Sequence, residues 1–213
     1  MVQHHIPDKF LMAYSAGVLS EAFSLAVASH VSLDDESRAR LETFDAVGGA
    51  VLDTAPAATV SDDCLSATLA LIGGKMPDAR PAAPRPDGLF PTPLRDYIGG
   101  DLEAVKWRGV GMGVKQAILN TSDEASARLL YIPSGTAVPD HGHNGIELTL
   151  VLQGAYRDEG GEFHRGDIEV ADESDEHTPI AFGPQDCICL AVTDAKLRFT
   201  SLLPRLAQPF LRI

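Results

Sequence analysis

The chain reads as two units of different secondary structure: a small all-α helical bundle over residues 1–75 and an all-β barrel over residues 94–213. Three observations predict this. Apolar residues recur at three- and four-residue intervals before residue 75. After residue 94 they gather in short strand-like runs. Between the two lies MPDARPAAPRPDGLFPTP, residues 76–93, whose six prolines suit an extended, semi-rigid linker.

The helices follow from caps and apolar stripes. Asp8 is placed to cap a first short helix carrying Phe10, Leu11 and Tyr14, with Gly17 ending it. Ser20 is the expected cap of a second, with Phe23, Val27 and Val31 on one side. Asp34, Asp35 and Glu36 suit the positive end of a third helix, striped by Leu41, Phe44 and Val47 and weakened at Gly48 and Gly49. Ser61 starts a fourth candidate, with Leu65, Leu69 and Ile72 at helical spacing. These helices are short, their cores are thin, and they stand to gain much from a partner.

The second half is punctuated differently. ARLLYIPSG, IELTLVLQGAYRD, GDIEVAD, CICLAVTD and LRFTSLL are broken by Gly, Pro and Asp, as in a sandwich or barrel. The closing LPRLAQPFLRI is apolar enough to pack on the barrel or on another subunit, so a homodimer through the barrel is one expectation.

Composition narrows function. The formal charge is -13, with 30 acidic against 17 basic residues, and no basic stripe stands out. Phosphate backbones and anionic membranes repel such a chain, which argues against direct nucleic-acid or membrane binding. Three cysteines, Cys64, Cys187 and Cys189, make no disulfide framework. MVQHHIPDKF lacks a charged-then-apolar signal pattern, and no apolar stretch of 18 residues occurs. The chain is expected to be cytoplasmic.

The chemistry concentrates in the second half. His141 and His143 stand two apart and share one face of an extended strand; Glu147 keeps that parity. Glu147 lies inside the apolar run IELTLVLQ, where a lone carboxylate pays a large desolvation cost unless paired or metal-bound. His177 arrives on a later strand. Three histidines and a carboxylate suit zinc, iron, manganese or nickel. The nine carboxylates from Asp158 to Glu176 read mainly as a solvated hairpin face, and Cys187 and Cys189 as buried small residues.

The spacing resembles the cupin motifs, which imply a double-stranded β-helix or jelly-roll barrel. Gly135, His141, His143, Glu147 and Gly154 fit the first motif, Gly-X5-His-X-His-X3-Glu-X6-Gly. Gly166 and His177 fit the second, while Asp172, Ser174 and Ala181 stand where it has Pro, Gly and Asn. All four positions that ligate metal in cupins are filled.

Nearly the whole chain, from HHIPDKFLMAYSAG through VPDHGHNGIELTLVLQGAYRD to SLLPRLAQPF, resembles the ChrR family of zinc-dependent anti-sigma factors. That resemblance implies a helical domain that binds an extracytoplasmic-function (ECF) sigma factor and blocks its access to core RNA polymerase. It also implies a zinc-bound cupin needed for release under singlet-oxygen or related oxidative stress, and no enzymatic activity. The family's N-terminal zinc site is a His followed by a distant His-X3-Cys-X2-Cys. His5 and His30 match the histidines; Asp34 and Ser37 stand where the cysteines belong. Without the thiolates, His5, His30 and Asp34 form a weak three-ligand set needing water as the fourth. Two other readings attach to the barrel alone: a metal-dependent dioxygenase or isomerase, and a ligand-sensing module without turnover.

Overall fold

The structure is a computed structural model and describes residues 2–73 and 88–199. Its helices are α1 (Asp8–Ser15), α2 (Glu21–Val31), α3 (Asp35–Asp53), α4 (Cys64–Gly73) and α5 (Thr92–Ile98). Its strands are β1 (Arg108–Gly111), β2 (Val114–Leu119), β3 (Ser126–Ile132), β4 (His141–Gly142), β5 (Glu147–Gln153), β6 (Ala155–Asp158), β7 (Gly161–His164), β8 (Ile168–Ala171), β9 (Glu176–His177), β10 (Ile180–Phe182), β11 (Cys187–Thr193) and β12 (Arg198–Phe199). Most of the expected linker, residues 76–87, and the closing LPRLAQPFLRI lie outside the described residues. Within the linker range, Phe90 is buried and α5 begins at Thr92.

The helix starts differ in detail from the sequence expectation. Pro7, not Asp8, takes the capping position of α1; Asp8 is its first residue and accepts a hydrogen bond from Arg40 Nε on α3 at 2.9 Å. Ser20 caps α2 through its backbone, but its hydroxyl is buried without a partner. Asp34 caps α3 in full, accepting from the N–H of Ser37 at 3.1 Å and of Glu36 at 3.4 Å. α3 continues through Gly48 and Gly49 to Asp53. Beyond its first turns it has little to pack on: Val47, Val51 and Leu52 are exposed, as are Leu65, Leu69, Leu71 and Ile72 on α4.

Among the described residues the strands do not form one closed barrel. They make a six-stranded sheet in the order β1-β2-β3-β11-β5-β8 and two three-stranded sheets, β10-β6-β7 and β12-β4-β9. The reason is local. β4, β9 and β12 are two residues each, and Pro133, Pro139 and Pro179 interrupt the chain where ladders would have to continue. Proline has no N–H to donate, so the smaller layer is fragmented.

The centre of the large sheet, strands β3, β11 and β5, is buried on both faces. Ala127, Leu129, Leu148, Leu150, Leu190 and Val192 share one core with Leu11, Phe23, Ala26 and Val27 of the helices. Ile132, Val151, Cys187 and Cys189 point the other way, against Tyr156, Phe163 and Ala181 of the small layer. All seven residues of β11 are therefore buried, which explains why CICLAVT shows no polar alternation. Each fully buried leucine contributes roughly 1.5–3 kcal/mol, so this shared face is a principal stabiliser of both units. The segment before α1 joins in: Gln3 and His4 donate backbone N–H to Asp167 Oδ1 at 2.6 and 3.1 Å, and Ile168 N–H donates to His4 O at 3.1 Å.

Candidate metal centre

β4 and β9 pair antiparallel with His141 opposite His177, His143 follows β4 directly, and Glu147 opens β5. This topology brings the four residues together as the spacing predicts. One donor atom from each lies within 4.8 Å of the others. His177 Nε2 is 3.2 Å from His141 Nε2 and 3.3 Å from His143 Nε2. The four residues are buried, Glu147 with 8% exposure.

A second layer orients the first. His141 Nδ1–H donates to Pro139 O at 2.9 Å, which leaves its Nε2 lone pair for the centre. His177 Nδ1 donates to Asp158 Oδ2 at 2.9 Å and lies 3.3 Å from Glu169 Oε1. The Tyr156 hydroxyl donates to Glu169 Oε2 at 2.6 Å. Asp158, Glu169 and His177 thus form a second gathered group sharing His177 with the first. Sequence reasoning did not single out Asp158 and Glu169 from the acidic stretch. Their side chains are nevertheless only 1% and 12% exposed. The one available signal was the placement of Glu169 within the apolar run IEVA.

Burial and the neighbouring His177 charge push His141 and His143 down to about 4. Burial also opposes a charge on His177, but its bonds to Asp158 and Glu169 outweigh this and lift it to about 10. Glu147, desolvated, is pushed up to about 7 while accepting from Thr149 Oγ1 at 3.1 Å. Without a cation, then, one proton on His177 supplies the positive charge that two neutral imidazoles face. The donor chemistry fits a divalent ion in that place: three imidazole nitrogens converge beside a carboxylate, and His143 Nδ1 is buried without a partner.

A cavity of about 330 Å³ opens beside the cluster. His141, Glu147 and His177 line it, together with Val110, Met112 and Cys189. Cys187 and Cys189 are buried with their sulfurs 3.4 Å apart, and this contact and burial hold the Cys189 thiol well above its usual range.

The N-terminal residues are arranged differently. His5 Nδ1 donates to Asp34 Oδ2 at 2.7 Å, and His5 Nε2 faces Glu36 at 3.5 Å. His30 is fully buried; its Nδ1 donates to Gly166 O at 3.0 Å. Its Nε2 receives the Ile6 N–H at 3.3 Å and lies 3.1 Å from Ser37 Oγ and 3.4 Å from Asp34 Oδ2. Burial keeps His30 below its usual value, whereas the bonds from Ser37 and His5 outweigh burial at Asp34 and hold it at about 2. Among the described residues, both groups of converging His, Cys, Asp and Glu donors lie in the β unit.

Residues 96–196 match the family model described as the ChrR cupin-like domain. The anti-sigma-E factor ChrR of Cereibacter sphaeroides is 56% identical over 212 residues, covering 100% of this chain and 99% of that protein. The chain belongs to the ChrR family of anti-sigma factors. A chain in the crystal structure of Rhodobacter sphaeroides SigE in complex with the anti-sigma ChrR is 54% identical, with a TM-score of 0.79, covering 91% of this chain and 100% of that one. The likeness therefore spans helices and sheets together. Where the resemblance leads one to expect two cysteines, however, this chain has Asp34 and Ser37, and the one cysteine of its helical unit, Cys64, is exposed on α4.

Proposed function

We propose that this ChrR-family protein binds an ECF-type sigma factor through its N-terminal helices, holds it inactive, and releases it under oxidative, singlet-oxygen-like stress. It acts as a regulator of transcription, not as a catalyst. The observation that carries the reading is the likeness, over 91% of the chain, to a protein crystallised with SigE. The structure supplies a matching surface: the apolar residues of α3 and α4, from Val47 to Ile72, are exposed. Apolar faces of this kind mark interaction sites, and an acidic chain suits a partner with basic, nucleic-acid-facing surface.

In this reading the β unit is a cupin-type sensory module with one divalent metal, zinc first, on His141, His143, Glu147 and His177; iron, manganese and nickel share the donor preference. The metal would supply a fixed positive charge and a Lewis-acidic centre. Asp158 and Glu169 would hold the Nδ1–H of His177 and so keep its other nitrogen aimed inward. The working place is the cytoplasm, where sigma factors meet polymerase; no described helix is long and apolar enough to cross a membrane.

The test mixes the purified chain with SigE and follows complex formation by calorimetry and size exclusion. A one-to-one complex is expected. Absence of binding, with both proteins folded, would sink the proposal. Replacing His141 and Glu147 with alanine should abolish release by singlet oxygen while leaving the complex intact.

A further inference from the structure

We infer that the His5–His30–Asp34–Ser37 cluster is a metal-free, hydrogen-bonded clasp that pins the start of α3 and the segment before α1 to the turn between β7 and β8. The argument rests on where each lone pair is spent. A carbonyl oxygen only accepts, so the 3.0 Å contact with Gly166 O requires the proton of His30 to sit on Nδ1. Nε2 then carries the ring's lone pair. That lone pair receives the buried Ile6 N–H at 3.3 Å, and the Ser37 hydroxyl lies 3.1 Å from it. A metal ion would need the same lone pair and would strand the Ile6 N–H, and buried backbone donors are rarely left orphaned.

Asp34 is committed in the same way. Its Oδ2 accepts from His5 Nδ1 at 2.7 Å and from the Ser37 N–H at 3.1 Å, and its Oδ1 faces the Glu36 N–H at 3.4 Å. The carboxylate is the cap of α3, so handing it to a cation would uncap the helix. The β-unit cluster is the counterexample within the same molecule: there the imidazole nitrogens converge on one another.

The far side of the clasp is built for close approach. Gly166 has φ +94, and a Cβ added there would lie 2.8 Å from Val2 Cγ2. Next to it, Asp167 takes the N–H groups of Gln3 and His4, and the Ile168 N–H returns to His4 O. Helix start, leading segment and β turn therefore meet through protein donors and acceptors where a metal ion could otherwise have joined the helices.

The inference stands whether or not the β unit binds metal. The full chain is stripped with a chelator, reloaded with excess zinc, desalted and counted by elemental analysis, beside a His141→Ala/His143→Ala variant. One zinc per wild-type chain is expected, with the variant losing it; a chain holding none at all also agrees with the clasp. A second zinc that disappears in Asp34→Asn or His5→Ala would overturn it. Hydrogen exchange of the same wild-type samples gives a second readout. The amides of Ile6, Ser37 and Ile168 should be equally protected with and without zinc, and in Ser37→Ala that of Ile6 should exchange about tenfold faster. Protection that appears only with zinc overturns the clasp, as does protection unchanged in both Ser37→Ala and His30→Gln. The wild-type arms decide the matter even if a variant fails to fold.

Discussion

Single atoms decide the character of the two histidine-containing clusters. At His177, Nδ1 is held by carboxylates, so Nε2 is the atom free to change partners. Asp158→Asn removes the charge but keeps the shape. Zinc affinity should fall by about 10- to 100-fold in a competition titration, while Asp123→Asn, exposed in the turn between β2 and β3, should change nothing. Proton competition gives a second prediction. His177 stays protonated up to about pH 10, so zinc must displace that proton, and affinity should rise about tenfold per pH unit from 7 toward 10. Below about 7 Glu147 is protonated as well, and the slope should steepen. An affinity that does not change with pH would show that binding displaces no proton from His177 in this range.

At the level of helices and strands, apolar spacing was enough to read most elements, and the failures have physical causes. α2 was legible from Phe23 and Val27 because a helix stripe needs only local sequence, yet the burial of Ala22, Ala26 and His30 on the same helix is set by a sheet that comes later in the chain. The His141, His143, Glu147 and His177 positions were legible from motif spacing, although a bend at Asn144 and Gly145 breaks the strand between His143 and Glu147. Asp158 and Glu169 were not, since their burial depends on the turn from β6 to β8. Closure of the strands into a barrel was expected and is not seen among the described residues, because prolines and two-residue strands break the ladders of the small layer. α3 and α4 carry the prediction for this scale. Leu69→Asp and Val51→Asp lie on exposed surface, so the melting temperature should move by no more than about 2 °C. Binding to SigE should weaken by about 30-fold or more if these residues sit at the centre of the interface. Equal affinity for the variants would place the interface elsewhere.

For the whole molecule, one core serves both units. Leu148→Ala empties space under α2 as well as within the sheet, and a cost of about 2–5 kcal/mol is expected. Calorimetry should show a single transition that moves as one, for the helical and β signals alike. Two transitions, with only the β signal shifted, would mean that the units are energetically separate. The six-stranded sheet has a further consequence. Its strand β11 turns Cys189 to the cavity and Leu190 to the helices, so it is a party wall with the candidate metal on one side and α2 on the other. A layer of this kind is about 10 Å thick. Anything that shoves the wall from the cavity is next door to the helices at once, and the news has no need to travel the long way round through the proline-rich connection.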